Sequence, residues 1–531
     1  MAVVAADVSS IQNYVFGSSL LRENIGASHL VTLASDEWVR RSIANCPGAE
    51  VIYAAGGNAV LEFTDDSQVP VFAHAFSHRV IEQAPGLNVV LGSAECDGRP
   101  DLARATLRAL RDVAARRQRM APGAPLMGLG VTAACRSIGL AAVGMTDMVG
   151  EDPATVVEVS AEVLAKRSAA SCGTRALEET FSHKLGDRFG FPSEFEELGR
   201  ERGESSRFAV VHIDGNGVGK RFHSVLMKYQ DDGDAFVEAI RTLSREVKAI
   251  AEGALGETID TLIRSVHSGA ISAPDCRKAA PAEITLRSGN NGKLLLPFRP
   301  ILLSGDDFTF VCDARVALPL AAEYLKHFGA KDLSDGSGPL TACAGVAIVK
   351  AHFPFAWAYA TAEELCRSAK RYLSEDSRLQ ASSCMDWDVA SAGSVVDLEG
   401  IREREYRNVW GSLSLRPVTL GSNPADKCRS WRVIESLVET FQGPEWSGSR
   451  NKVKDLAGAL ARGPHEVERF LTIYRDGRCL PDLDTEHPAF MKTGWHSTQC
   501  GYFDAIELMD YIIPLSGSPE GGACSATVSE D

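Results

Sequence analysis

The sequence predicts an α+β fold: two copies of a ferredoxin-like βαββαβ unit, followed by a helical C-terminal region. Three observations predict it. An apolar strand, Phe208 to Ile213, runs into Asp214 and a glycine-rich loop. A second apolar stretch, Arg299 to Cys312 (RPILLSGDDFTFVC), is broken at Ser304-Gly305-Asp306-Asp307 and reads as a tight hairpin. Residues 1–95 then show the same order of strands and helices as residues 207–375.

In the first unit, Val3 to Ala6 is a short strand ending in Asp7, and a helix follows through Ile11, Tyr14 and Phe16. Apolar spacing predicts a longer helix from about Ser28 through Leu30, Leu33 and Trp38. Val51 to Phe63 (VIYAAGGNAVLEF) is a hairpin with Gly56-Gly57-Asn58 at its turn. A helix over Val71 to Ile81 and a strand over Asn88 to Gly92 complete the unit.

The second unit repeats the pattern with the strand to Asp214, a helix through Phe236 and Ile240 to Ile250, the SGDD hairpin, a helix over 315–328 and a strand over 341–349. A further helix covers Pro354 to Leu373, and an insertion at about 264–298 carries a hairpin with the turn Gly289-Asn290-Asn291-Gly292. Residues 96–206 join the units as a helical and mixed segment. Its basic helix, Asp101 to Arg119, reads as a solvated face. Residues 376–426 read as a linker. In the helical region 427–516, Trp431, Ile434, Leu437, Val438 and Phe441 share one helix face, Val453, Leu456 and Leu460 a second, and Phe470, Ile473 and Tyr474 a third. Residues 517–531, mostly small, polar or acidic, are expected to be a disordered tail.

Composition narrows the function. The 531 residues are 45% hydrophobic and 24% charged, an ordinary globular balance, and the formal net charge of -15 argues against autonomous binding to duplex DNA. No apolar run approaches the roughly 18 residues that span a bilayer, so a cytoplasmic protein without membrane contact is expected. The 13 cysteines are scattered without a CxxC, which supports neither a disulfide framework nor a zinc ribbon.

The chemistry is carried by the acids. Adjacent carboxylates at an apolar hairpin tip repel one another and lose solvation, an arrangement that a divalent cation relieves. Taken alone, SGDD is an ordinary turn more often than a metal site. Asp214 at the end of a neighbouring strand changes the balance, because one acid beside an acidic hairpin tip is the geometry with which nucleotidyl cyclases and palm-type polymerases hold two metals against a triphosphate. Asp214, Asp306 and Asp307 are therefore the candidate catalytic and metal-binding residues, with two Mg²⁺ or Mn²⁺ ions as the expected cofactors. After Asp214, Gly215, Asn216, Gly217 and Gly219 form a loop that lets backbone N–H groups approach a phosphate, and Lys220 adds charge. The first hairpin tip carries no acid and reads as a partner surface.

With these residues placed, the sequence resembles the large palm-domain subunit of type III CRISPR effector complexes, the cyclic oligoadenylate synthase. SIQNYVFGSSLLRENIGASHL is similar to the family's first-palm signature, YAAGGN to its glycine-rich hairpin, HIDGNGVGK to the opening of the second palm, and SGDD to its GGDD motif with Ser304 in place of the first glycine. AEELCRSAK resembles the family's helix ending in an Ala-Lys pair, and LSLRPVTL the region after that palm. The resemblance implies two palm domains of nucleotidyl-cyclase type in a shortened form, without the HD nuclease domain. It implies ATP as substrate, with Ser304, Gly305 and Lys370 at the second palm and Ser28, Gly57 and Asn58 at the first as further nucleotide contacts. Other effector subunits and guide or target RNA are the implied partners. Two alternatives stay open: a cyclic dinucleotide synthase, since nothing fixes adenine over guanine, and a non-catalytic nucleotide-binding scaffold subunit.

Overall fold

The computed structural model describes residues 1–120, 130–147, 156–199, 207–268, 271–272, 284–289, 291–351, 353–390, 397–421, 426–447, 450–475, 477–483 and 487–515. The tail expected over 517–531 lies outside the described residues, as does Asn290 of the turn in the insertion.

The chain is a mixed α and β protein organised on two sheets. In the first, β1 (Ala2–Ser9) is followed by a short helix and α1 (Leu21–Thr32), the hairpin β2 (Ala49–Ala55) and β3 (Asn58–Phe63), α2 (Gln68–Gln83) and β4 (Asn88–Glu95). The strands pair in the order β2-β3-β1-β4, all antiparallel. Side chains alternate along β1: Val4, Ala6 and Val8 face a core shared with the second sheet, whereas Val3 and Ala5 pack beneath α3 (Leu102–Arg119). The segment also contains α4 (Ala161–Thr180), whose N-cap Ser160 accepts a hydrogen bond from the Val163 amide and which packs along α1. Gly26 permits that contact, because a Cβ there would fall 1.7 Å from the Lys166 carbonyl oxygen.

The second sheet begins with β5 (Arg207–Gly215), then α5 (Val218–Lys228) and the 36-residue α6 (Gly233–Ser268). The hairpin β6 (Phe298–Ser304) and β7 (Asp307–Asp313), α7 (Ala317–Phe328), β8 (Ala342–Lys350) and α8 (Phe355–Glu375) follow. Strand β5 is covered on both faces, by Phe208 and Val210 on one and Ala209, Val211 and Ile213 on the other, which explains its unbroken apolar run. Within the insertion, Arg287–Ser288 pairs antiparallel with Leu294–Leu295.

The sheet does not stop at four strands. Its order is β6-β7-β5-β8-β9-β10, where β9 (Cys384–Val389) runs parallel to β8 and β10 (Val418–Thr419) pairs with β9. The stretch 376–426, read as a linker, thus contributes two strands, Cys384–Val389 and Val418–Thr419, to the sheet. The strand is hard to read because Asp386 and Asp388 interrupt its apolar pattern; Asp386 is buried against Arg402 at 2.6 Å. Helices α9 (Trp431–Gln442), α10 (Arg450–Arg462), α11 (Pro464–Tyr474) and α12 (Phe503–Leu508) pack on this extended sheet in one continuous apolar core. The expected faces of α9 and α10 are buried. Ile473 and Tyr474 are exposed instead, since α11 ends at Tyr474 and its last turn projects past the core.

Two contacts fix the site-bearing elements. Arg241 of α6 donates to the Ile52 and Val51 carbonyls on the edge strand β2, at 2.9 and 2.7 Å, and so ties the two sheets together. Gly345 of β8 lets α8 lie directly on the sheet, since a Cβ there would stand 1.9 Å from the Ala362 carbonyl oxygen and 2.4 Å from the Cys366 amide. Gly345→Ala must lift α8, so it should destabilise the protein by about 1–3 kcal/mol in denaturant unfolding and displace Lys370 from Asp214.

Candidate active site

The site forms where the two hairpin tips meet. At β6-β7 the turn is Gly305-Asp306, closed by the pair Ser304 and Asp307, and Gly305 takes φ 68° at the first turn position, where a side chain is strained. At β2-β3 the turn is Gly56-Gly57, closed by Ala55 and Asn58, with φ 63° and 82°. The tips are neighbours: a Cβ on Gly56 would lie 3.9 Å from the Ser304 carbonyl oxygen. Both open on one cavity of about 890 Å³ whose lining includes Gly56, Asn58, Ser304, Gly305, Asp306 and Asp307.

Strand register brings the acids together. Asp307 stands directly across from Asp214 in the β7-β5 ladder, and Asp306 sits one residue away at the tip. Burial and the Asp214 charge push Asp306 up to about 6. Asp307 is held well above the usual carboxylate range by burial and then by both other acids. Its Oδ1 is buried without a hydrogen bond. The His212 Nδ1 atom lies 3.4 Å from that oxygen but is engaged with Thr309 Oγ1 at 3.2 Å, and burial lowers His212 to about 4, so the ring is neutral and no ion pair forms. Asp214 is compensated differently: Lys370 of α8 donates to its Oδ2 at 2.5 Å and to the Gly215 carbonyl at 3.0 Å.

Carboxylate oxygens, one of them buried and unsatisfied, are the donors a hard divalent cation takes. Among the described residues, however, no three His, Cys, Asp or Glu side chains converge as a formed metal cluster. Lys370 gives Asp214 the counter-charge that a cation would otherwise supply.

The other expected contacts divide. Gly219 lines the cavity, and Gly217, at φ 69°, starts α5 beside it. Asn216 faces the neighbouring loop, its amide bonded to Thr341 Oγ1 at 3.1 Å and the Ser382 carbonyl at 3.4 Å. Lys220 is exposed and does not line the cavity. Gly57 is tucked under Ile11, and Ser28 is buried within α1, outside the cavity lining. Arg111 and Arg117 were missed: the basic helix α3 turns them into the cavity along with Leu107, Leu110 and Ala114. Together with Leu107, Leu110 and Ala114 they recur at three- and four-residue spacing, which was the available signal.

An acid with a raised pKa keeps its proton longer in the folded state, so it favours folding at low pH and this contribution is lost as pH rises. For Asp306 the window runs from 3.8 to about 6. Melting curves of the metal-free protein should therefore show stability falling across that window by more than in Asp306→Ala.

No family model matches the sequence, and no curated protein matches it. Solved structures do. A crystal structure of a Csm1-Csm4 cassette with AMPPNP contains a chain with 15% identity and a TM-score of 0.53, over 96% of this chain and 69% of that one. This chain shares the fold of a chain of the Csm1-Csm4 cassette. The same cassette with cA4 aligns at 13% identity and a TM-score of 0.51 over 96% of this chain and 69% of that one. The Csm1-Csm4 subcomplex of the type III-A CRISPR-Csm interference complex aligns at 15% and 0.51, over 96% and 70%. The cassette fold agrees with the resemblance read from the first-palm signature, the GGN hairpin and SGDD. Among the described residues no helix is long and apolar enough to cross a membrane.

Proposed function

We propose that the chain is a metal-dependent nucleotidyltransferase of type III CRISPR-like antiviral defence, which converts ATP into cyclic or linear oligoadenylates. In this reading the two units are ferredoxin-like palms of nucleotidyl-cyclase type, and other effector subunits, with guide or target RNA, are the partners. The observation that carries it is the meeting of Asp306 and Asp307 with the Gly56–Asn58 tip on one cavity, with Asp214 directly across the ladder from Asp307. Cassettes that contain a chain of this fold have been solved with AMPPNP and with cA4, which supports the reading that the chain binds nucleotide.

Asp214, Asp306 and Asp307 would hold two Mg²⁺ or Mn²⁺ ions, which acidify a ribose hydroxyl and neutralise leaving pyrophosphate. Lys370 orients Asp214 and, beside the Gly215 carbonyl, would also meet a phosphate bound at that loop. The open backbone at Gly217 and Gly219 receives the triphosphate at the start of α5. Gly56 and Asn58 seat the other nucleotide, and Arg111 and Arg117 offset the accumulated negative charge. A ribose hydroxyl of one nucleotide then gives its proton to solvent and bonds to the α-phosphorus of the other, the α–β phosphoanhydride breaks, and pyrophosphate leaves with the electron pair.

Incubation with each NTP and Mn²⁺, read by mass spectrometry, tests this. Oligoadenylates are expected. Cyclic guanylate products would favour the dinucleotide synthase. Nucleotide binding without product would favour the scaffold, the reading to which the Lys370–Asp214 pair lends itself.

A further inference from the structure

The two units superpose by register. Asp7 pairs with Asn58 in the first as Asp214 pairs with Asp307 in the second, so Asp7 is the counterpart of Asp214, Asn58 of Asp307 and Gly57 of Asp306. Two of the three acids are thus missing from the first unit, and one carboxylate alone is a poor cation site. Yet Asp7 is not an idle surface acid. It lines the shared cavity, its side chain is only 14% exposed, and its Oδ2 is buried and takes no hydrogen bond from the protein. Arg117 stands 3.8 Å away, too far for a hydrogen bond, and its charge offsets only part of the rise that burial imposes on the Asp7 carboxyl.

A buried carboxylate oxygen of this kind is costly unless something donates to it. The hairpin tips that surround Asp7 carry the polar groups of the cavity, whereas Leu107, Leu110, Leu226 and Phe236 reach it from the helices and suit a base. We propose that Asp7 is a specificity-determining residue that accepts a hydrogen bond from a ribose hydroxyl of the nucleotide seated on the first unit, and so selects ribonucleotides there. An acid that receives ribose hydroxyls is a general device of nucleotide sites. The inference rests on the two-nucleotide reading above.

The test uses the full chain with Asp306→Ala and Asp307→Ala, which leaves only the first unit's site, and titrates ATP, 2′-deoxyATP, 3′-deoxyATP and purine riboside triphosphate by calorimetry. ATP should bind one equivalent, and one of the two deoxynucleotides should bind roughly tenfold more weakly. Adding Asp7→Ala should weaken ATP by the same factor and leave that deoxynucleotide unchanged. The ligand series in the Asp7 parent needs no further variant, so it holds even if Asp7→Ala misfolds. Equal binding of both deoxynucleotides and ATP would overturn the proposal, as would a deoxy penalty that survives Asp7→Ala. A loss confined to purine riboside triphosphate would overturn it in favour of the base amine. Absence of binding by any nucleotide would overturn the two-nucleotide reading itself.

Discussion

Replacing Asp306 and Asp307 with alanine should abolish product while leaving the metal-free protein at least as stable as the parent. The physics is in the direction of the shifts: burial and mutual repulsion raise both carboxylates, so each carries an electrostatic cost in the folded state near neutral pH. Alanine removes the cost and the ligands together. In the parent, Mn²⁺ with AMPPNP binds only the folded state and should raise the melting temperature as concentration rises; in the double variant most of that rise should vanish. A variant that unfolds without metal would make the acids structural turn residues. One that folds and still forms product would move the chemistry elsewhere.

The largest effect on stability is expected far from the cavity. Arg416 is buried, donates to the Trp387 carbonyl at 3.0 Å, lies 3.2 Å from Glu507, and stacks 4.3 Å from the Tyr406 ring centroid. Asp504, also buried, accepts from the Leu415 and Arg416 amides at 2.6 and 3.2 Å. This network joins β9 to α12. Arg416→Met roughly keeps the volume and leaves the buried Asp504 and the partly buried Glu507 without their cation, which should cost about 3–5 kcal/mol in denaturant unfolding. Adding Glu507→Gln should recover part of the loss, because the two residues are coupled.

The site was legible where chemistry and local pattern coincide. An apolar strand running into Asp214 and a turn with two acids announced the ladder pair, and the GGN turn announced the facing tip. What escaped depended on partners distant in sequence. The strand Cys384–Val389 reads as linker until Arg402 is seen to pair with the buried Asp386 and, with Arg416, to offset part of the burial cost of Asp388. The arginines of Leu102–Arg119 read as a solvated face, because only the packing of α3 on the first sheet decides which of them meet the cavity. The resemblance makes Lys370 a nucleotide contact, yet here it serves Asp214, an anion of the chain itself. Ser28 belonged to a motif read for nucleotide contact, but the close packing of α1 and α4 accounts for its burial.

The central claim is that two nucleotides meet between the two hairpin tips, one of them held by the acids. Titration of the purified chain with AMPPNP in Mn²⁺ tests it most directly. The account expects two equivalents per chain, falling to one in the Asp306→Ala/Asp307→Ala variant. A single equivalent in the parent, or two that persist in the variant, would contradict it.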